Sequence, residues 1–142
     1  MNEDISQPEK TEPQNDKTPK LLGIGAILFF ADNLKEMREW YVKNLGLEIN
    51  DWGSASFESR DLHDPERINS IQWCPFKKGD AYFAPSNKDF MINYRVQNIE
   101  GLIEKLRNNG VNIVDELETY DYGKFIHIMD EEGNKIELWE PA

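Results

Sequence analysis

A histidine and a glutamate near the end of this sequence have the types and spacing needed for proton transfer. They lie on two runs of alternating apolar and polar residues that flank a turn rich in Gly and Asn, the pattern of a β-hairpin. If Met129 pairs with Lys135, His127 lies directly opposite Glu137. A carboxylate beside an imidazole raises the imidazole pKa, and such a pair can move a proton. The alternative is a histidine with a structural role, and the register of the hairpin decides between them.

The hairpin closes the second copy of a pattern that occurs twice. Segments 28–49 and 93–113 each contain a strand-like run, an amphipathic helical stretch, a glycine and the start of another strand. Apolar residues at spacings near 3.6 predict the two helices, and Gly46 and Gly110 occupy the positions of left-handed C-caps.

Three strand-like runs follow each predicted helix. They cover residues 47–51, 54–60 and 68–74 in the first copy, and 111–116, 124–129 and 134–140 in the second. The sequence therefore predicts an α+β fold of two βαβββ modules, at about residues 21–85 and 86–142. Three strands after a helix do not fit a doubly wound parallel sheet, and there is no glycine-rich phosphate loop, so nucleotide-binding folds are disfavoured.

Length and composition exclude several classes of function. The chain has 142 residues, a net charge of −11 and one cysteine, Cys74. An acidic surface repels nucleic acid and anionic lipids, no apolar run reaches the ~18 residues of a membrane span, and one cysteine cannot form an internal disulfide. Residues 1–20 are rich in charge and proline, which predicts a disordered tail. We expect a cytoplasmic protein with neither nucleic acid nor membrane as a partner.

Two motifs resemble the vicinal oxygen chelate superfamily, which includes glyoxalase I, bleomycin resistance proteins, extradiol dioxygenases and methylmalonyl-CoA epimerase. Residues 40–47 are similar to the family pattern "FY-x-x-x-LGL", and residues 129–141 are similar to "DPxGNxIELWEP", with Glu131 where that pattern has proline. The resemblance covers residues 21–142. It implies two modules whose mixed sheets curl around a shared ligand cleft, paired within one chain or across a dimer, and we expect a homodimer.

The resemblance also implies four positions for the ligands of a divalent metal. In this sequence those positions fall on Gly25 or Ala26, on Gln72 or Trp73, on Met91 and on Glu137. Glycine and alanine have no donor atom, and a thioether is a poor ligand for such a cation. Because a catalytic site needs roughly three protein ligands, we expect no bound metal and no other cofactor.

Strand alternation predicts what lines the cleft instead. If Glu137 faces the cleft, as the resemblance implies, then Trp139 does too, and the Met91 strand adds Asn93 and Arg95. Arg95 either pairs with Glu137 across the cleft floor or holds an anionic group of a ligand. The segment 73–85 is expected near the cleft mouth, where its aromatic rings could cover a flat ligand.

Two functional hypotheses follow, from different classes. The first is a metal-free protein that binds a small aromatic or anionic molecule, with Gln72, Asn93, Arg95 and Glu137 as polar anchors and with Trp73, Met91 and Trp139 on the cleft wall. The second is an enzyme, a glyoxalase-like lyase or isomerase that uses Glu137 as general base, with His127, on a small carbonyl substrate. A regulatory domain with a closed cleft is a third reading.

Overall fold

The computed structural model describes residues 16–142 and builds them around one mixed sheet. The elements are β1 (Lys20–Ala31), α1 (Leu34–Leu45), β2 (Ala55–Arg60), β3 (Ile68–Lys77), a short 3-10 helix (Ala81–Phe83), β4 (Phe90–Gln97), α2 (Ile99–Asn108), β5 (Asn112–Ile113), β6 (Glu118–Tyr120), β7 (Gly123–Met129) and β8 (Lys135–Pro141). The strand order is β2-β3-β1-β4-β8-β7-β5, with β6 paired to β7. The fold is of the α+β class. Neither helix has the length and apolarity that a membrane crossing requires.

The two copies of the sequence pattern fold differently after their helices. Two strands, β2 and β3, follow α1, whereas four strands follow α2. The strand predicted over residues 47–51 is absent, because the Asn50 side chain accepts hydrogen bonds from the amides of Trp52 and Ser54 and turns the chain there. In the second copy, the short strand β6 is an addition that the sequence pattern did not indicate.

Asparagine side chains cap the starts of both helices, and Gly46 ends α1 as the sequence predicts, whereas α2 is capped by Asn109 and Gly110 follows it at φ 75°. The Asn33 side chain accepts from the amide of Glu36 at 3.0 Å, and that of Asn98 accepts from the amide of Gly101 at 3.1 Å. Gly46 caps α1 at φ 67°, in the left-handed region that favours glycine. The helices differ in packing, since α2 buries three residues against the sheet and α1 buries none.

Both helices cover the same face of the sheet. On α1, Tyr41 packs against Trp73 of β3, and the buried residues of α2 pack against Leu138 of β8 and Ile126 of β7. Side chains of opposite parity therefore point to the other face, which we call the inner face. It carries Asn93, Arg95, Lys135, Glu137 and His127, and the linker between β3 and β4 packs onto it.

Most of the tail predicted over residues 1–20, namely residues 1–15, lies outside the described residues. Next to β1, the carbonyls of Lys17 and Thr18 accept hydrogen bonds from the side chains of Asn98 and Gln97, at 2.8 and 2.7 Å. These two hydrogen bonds hold the residues just before β1 against the end of β4.

Candidate functional site

One row of residues crosses the inner face over five strands. The register of the sheet pairs Gln72 with Ala26, Ala26 with Asn93, Asn93 with Glu137, and Glu137 with His127. Three members, Asn93, Glu137 and His127, are at most 5% exposed although all are polar. Buried polar groups are costly unless they find partners, so the bonds within this row determine what it can do.

Glu137 and His127 are the centre of a hydrogen-bond network, in which only Asn93 Oδ1 and no atom of Glu137 or His127 is buried without a partner among the described residues. The imidazole Nε2 of His127 lies 2.9 Å from Glu137 Oε2, and its Nδ1 lies 2.6 Å from Asp115 Oδ2. On the other side of Glu137, the Asn93 amide donates to Oε1 at 2.8 Å, and the Tyr82 hydroxyl donates to Oε2. The Tyr82 oxygen is also 3.1 Å from His127 Nε2.

The network favours an imidazolium held between two carboxylates. Burial works to lower the pKa of His127, but the hydrogen bonds and charges of Glu137 and then of Asp115 outweigh it and hold that pKa above its usual range. Burial works to raise the pKa of Glu137, but hydrogen bonds from His127, Tyr82 and Asn93 hold it below its usual range. Burial, followed by the charge of Glu137, raises the pKa of Tyr82, so the phenol stays protonated and donates.

The linker between β3 and β4 packs over the inner face and covers part of this row. Phe83, at 1% exposure, stacks on Phe30 and meets Phe76 edge-on. The buried ammonium of Lys135 donates to the backbone carbonyls of Tyr82 and Ala84, at 2.7 and 2.8 Å. The linker is therefore anchored by an apolar ring and by two charge-assisted hydrogen bonds, both independent of the Tyr82 side chain.

The residues at the implied metal positions do not fit a divalent cation. Ala26 has no donor atom, and Met91 is fully buried in the apolar cluster around Phe83. The Gln72 amide donates to two serine hydroxyls, and both oxygens of Glu137 already accept hydrogen bonds. Within residues 16–142, no group of three His, Cys, Asp or Glu side chains is placed to hold a metal. No chemistry of this site is therefore derived through a metal.

A cavity of about 390 Å³ lies on the inner face beyond the row, towards the chain end of β8. Its walls include Arg67, Ser70, Arg95, Gln97, Tyr122 and Trp139. Arg95 Nε is buried and has no hydrogen-bond partner, and no carboxylate of residues 16–142 forms an ion pair with this arginine. Burial lowers the pKa of Arg95, and although the charge of Asp61 offsets this in part, the neighbouring Arg67 adds to the lowering.

The structure brings some of the predicted site residues together and separates others. The hairpin pairs Met129 with Lys135, which is the register under which His127 lies opposite Glu137. The suggested pair between Arg95 and Glu137 is wrong, because β4 and β8 are parallel with Asn93 opposite Glu137, which puts Arg95 beside Trp139.

Two predicted cleft-wall residues lie elsewhere. Trp73 is on the helix-covered face, where its ring contacts Phe29 and Tyr41, because its parity on β3 is opposite to that of Gln72. Met91 is on the inner face, but Phe83 covers it, so it belongs to the core. A ligand in the cavity reaches neither residue.

Sequence reasoning missed two members of the network, Tyr82 and Asp115. It placed Lys135 on the face of Glu137 but did not predict that its ammonium binds the linker. The linker was expected at the cleft mouth, yet nothing in its composition singles out one ring that reaches a carboxylate on β8. Asp115 follows β5 and accepts the backbone amide of His127 at 2.8 Å as well as its ring, so it continues the strand pairing through a side chain. A lone acidic residue after a strand carries no signal of that kind.

Comparison with known proteins places the chain in a family. The model of the Glyoxalase/Bleomycin resistance protein/Dioxygenase superfamily matches residues 23–138. The chain belongs to this superfamily. No curated protein sequence matches it.

Solved structures of the superfamily share the fold at low sequence identity. A glyoxalase/bleomycin resistance protein/dioxygenase superfamily member from Vibrio splendidus is 14% identical, with a TM-score of 0.55 over 87% of this chain and 99% of that one. Methylmalonyl-CoA epimerase from Mycobacterium tuberculosis is 24% identical, with a TM-score of 0.55 over 86% and 89%. The Streptomyces coelicolor epimerase in complex with 2-nitronate-propionyl-CoA is 18% identical, with a TM-score of 0.60 over 87% and 99%.

Proposed function

We propose that this superfamily member binds a small anionic molecule, without a metal, in the cavity that Arg95 and Trp139 line. The observation that carries the proposal is the buried Arg95 Nε, which has no partner among the described residues. A guanidinium held partly out of water beside a second arginine is stabilised by an anion, and its planar fork fits a carboxylate or phosphate. Most buried donors in native proteins have a partner, so an orphaned arginine nitrogen at a cavity wall indicates a missing acceptor.

The cavity also provides an apolar wall for the rest of the ligand. Trp139 stacks on Phe125 and donates its indole N–H to the carbonyl of Tyr122 at 3.0 Å, which fixes the ring in place. A rigid aromatic wall beside one charged anchor favours a flat organic anion over an inorganic one. Methylmalonyl-CoA, the ligand named for related epimerases, likewise carries a carboxylate, which is compatible with the proposal.

Benzoate and its neutral isostere benzamide test the anion anchor. We expect benzoate binding, measured by calorimetry, to weaken at least about tenfold in Arg95→Gln, and benzamide to bind at least about tenfold more weakly than benzoate to the unchanged protein. Arg107→Gln, which removes a charge at the exposed end of α2, is the matched control. Equal benzoate affinity in Arg95→Gln and in the unchanged protein would refute the proposal. Affinity that depends on added Ni²⁺ or Zn²⁺ would refute its metal-free part.

The second candidate function is a lyase or isomerase that uses Glu137 as general base. Its support is the chain of short contacts from Glu137 through His127 to Asp115, an arrangement that can accept and pass on a proton. Tyr82 and His127 both contact Glu137 Oε2, and Asn93 donates to Oε1, so catalysis requires that Tyr82 leave and give the substrate access to Oε2. Deuterium exchange at the α-carbon of a small ketone in D₂O, lost in Glu137→Gln, is the result that this candidate predicts.

A further inference from the structure

The Tyr82 ring lies in a slot formed by Phe76, His127 and Lys135. Its ring lies parallel to Phe76, at a centroid distance of 5.7 Å and an interplanar angle of 2°, and it meets the His127 ring edge-on at 5.2 Å and 89°. The Lys135 ammonium lies 5.3 Å from the ring centroid. The slot therefore offers a stacking face, an aromatic edge and a cation, three groups that attract an aromatic ring.

The base of the slot is built to accept a hydroxyl proton. Glu137 Oε2 accepts from the Tyr82 hydroxyl, and His127 Nε2 lies 3.1 Å from the hydroxyl oxygen. Asn93 holds the other carboxylate oxygen at 2.8 Å and Asp115 holds the far side of the imidazole ring, so the Glu137 acceptor and its His127 partner stay in place without Tyr82. A buried carboxylate bonds strongly to an acidic hydroxyl donor.

The Tyr82 side chain can leave this slot without dismantling the linker. It is 40% exposed, whereas the next residue, Phe83, is 1% exposed. The backbone on both sides is held by the Lys135 ammonium and by the buried Phe83 ring. Rotation of one half-exposed side chain is a small motion compared with the opening of a loop.

We infer that Tyr82 is an internal stand-in for a ligand, and that the slot between Phe76 and the His127–Glu137 pair binds the ring and hydroxyl of a small phenol when the Tyr82 side chain turns outwards. The site is distinct from the Arg95 cavity, and its ligand is a neutral hydroxyl donor rather than an anion. The position of Tyr82 defines the class of ligand, since the slot already holds a para-substituted phenol.

The experiment uses p-cresol, which is the tyrosine side chain with a methyl group in place of the backbone, and 4-methylanisole, which has the same ring but no hydroxyl proton. Binding is measured by NMR titration of the full chain. Tyr82→Phe keeps the ring and removes the competing hydroxyl, and Tyr82→Ala empties the slot. Tyr41→Phe, at a tyrosine that packs on the helix side, is the matched control.

We expect Tyr82→Phe and Tyr82→Ala to bind p-cresol at least about fivefold and about tenfold more tightly than the unchanged protein, and Tyr41→Phe to match the unchanged protein. In Tyr82→Ala, p-cresol should bind at least about tenfold more tightly than 4-methylanisole, and the preference should disappear when Glu137→Gln is added. Equal binding of the two compounds by Tyr82→Ala would overturn the hydroxyl site. So would p-cresol binding that is no tighter in Tyr82→Phe than in the unchanged protein, a variant that leaves the packing of the slot nearly intact.

Discussion

Truncation of two neighbouring linker residues should destabilise the protein by very different amounts. Phe83→Ala removes a ring that is 1% exposed and stacked on Phe30, whereas Tyr82→Ala removes a ring that is 40% exposed. If the linker is anchored by the first ring and only capped by the second, the free energy of unfolding should fall much more for the first variant. The comparison tests the basis of the proposed phenol slot without any ligand.

The magnitudes follow from burial and from the hydrogen bonds that remain. Truncation of a fully buried phenylalanine costs about 3–5 kcal/mol, since the lost transfer free energy is joined by the cost of a cavity. Tyr82→Ala loses part of a ring's burial and one hydrogen bond, but Glu137 Oε2 still accepts from His127 and is not orphaned. We expect it to cost about 1–2 kcal/mol.

Urea unfolding followed by circular dichroism separates the two outcomes. With an m value of about 2 kcal/mol/M, the midpoint should fall by about 1.5–2.5 M for Phe83→Ala and by about 0.5–1 M for Tyr82→Ala. Phe57→Ala, at a phenylalanine that is 53% exposed on β2, is the control and should shift the midpoint least. Equal shifts for the two linker variants would mean that Tyr82 is part of the core, and the reasoning about its release would fail.

Three further outcomes are expected. The pKa of His127 is raised and that of Glu137 is lowered in the folded protein, so their joint contribution to stability should be greatest between about pH 4.3 and 6.5. It should be lost as the pH rises through the folded pKa of His127, and also as the pH falls below the usual range of Glu137. Urea unfolding of the unchanged protein and of Glu137→Gln at pH 5.5 and 8.5 should show a pH-dependent difference in stability, and a constant difference would contradict the pairing. Gly25→Ala would bring a Cβ into overlap with Oδ1 of the buried Asn93 and to 2.8 Å from Cε3 of Trp139, so the urea midpoint should correspond to a loss of about 1–3 kcal/mol. An unchanged midpoint would contradict this and show that the inner face relaxes there. Lys135→Met keeps the apolar stem but leaves two linker carbonyls without their donor. It should lower the free energy of unfolding by about 1–3 kcal/mol and speed hydrogen exchange of the linker amides, whereas the exposed control Lys35→Met should change neither.

The sequence was most informative where local patterns carry the structure. Alternation and a Gly-Asn turn predict the last hairpin and offer the register, found in the structure, that brings His127 opposite Glu137, because a hairpin's pairing depends on its own turn. The end of α1 at Gly46 was likewise predicted, since a cap depends on residues next to it in sequence. These features require no knowledge of distant parts of the chain.

Predictions failed where the answer depends on pairing between distant strands or on one side-chain rotamer. Whether Arg95 faces Glu137 or Trp139 depends on the register of the parallel strands β4 and β8, which no local signal determines. Trp73 and Gln72 are adjacent in sequence, and a shift of one residue in β3 exchanges the faces that they occupy. The reach of Tyr82 to Glu137 depends on the anchoring of a whole linker by Phe83 and Lys135.

The pairing of Glu137 with His127 explains how this member of the superfamily can bury a carboxylate while the other implied metal positions carry Ala26, Gln72 and Met91. A carboxylate that is 5% exposed is unstable unless a cation or several donors compensate it. His127 on the next strand lies between Glu137 and Asp115, and its raised pKa favours the imidazolium that compensates the carboxylate. The compensating charge comes from a side chain, so Glu137 remains a buried carboxylate that can accept a hydrogen bond from a hydroxyl group. In this structure the donor is the Tyr82 hydroxyl.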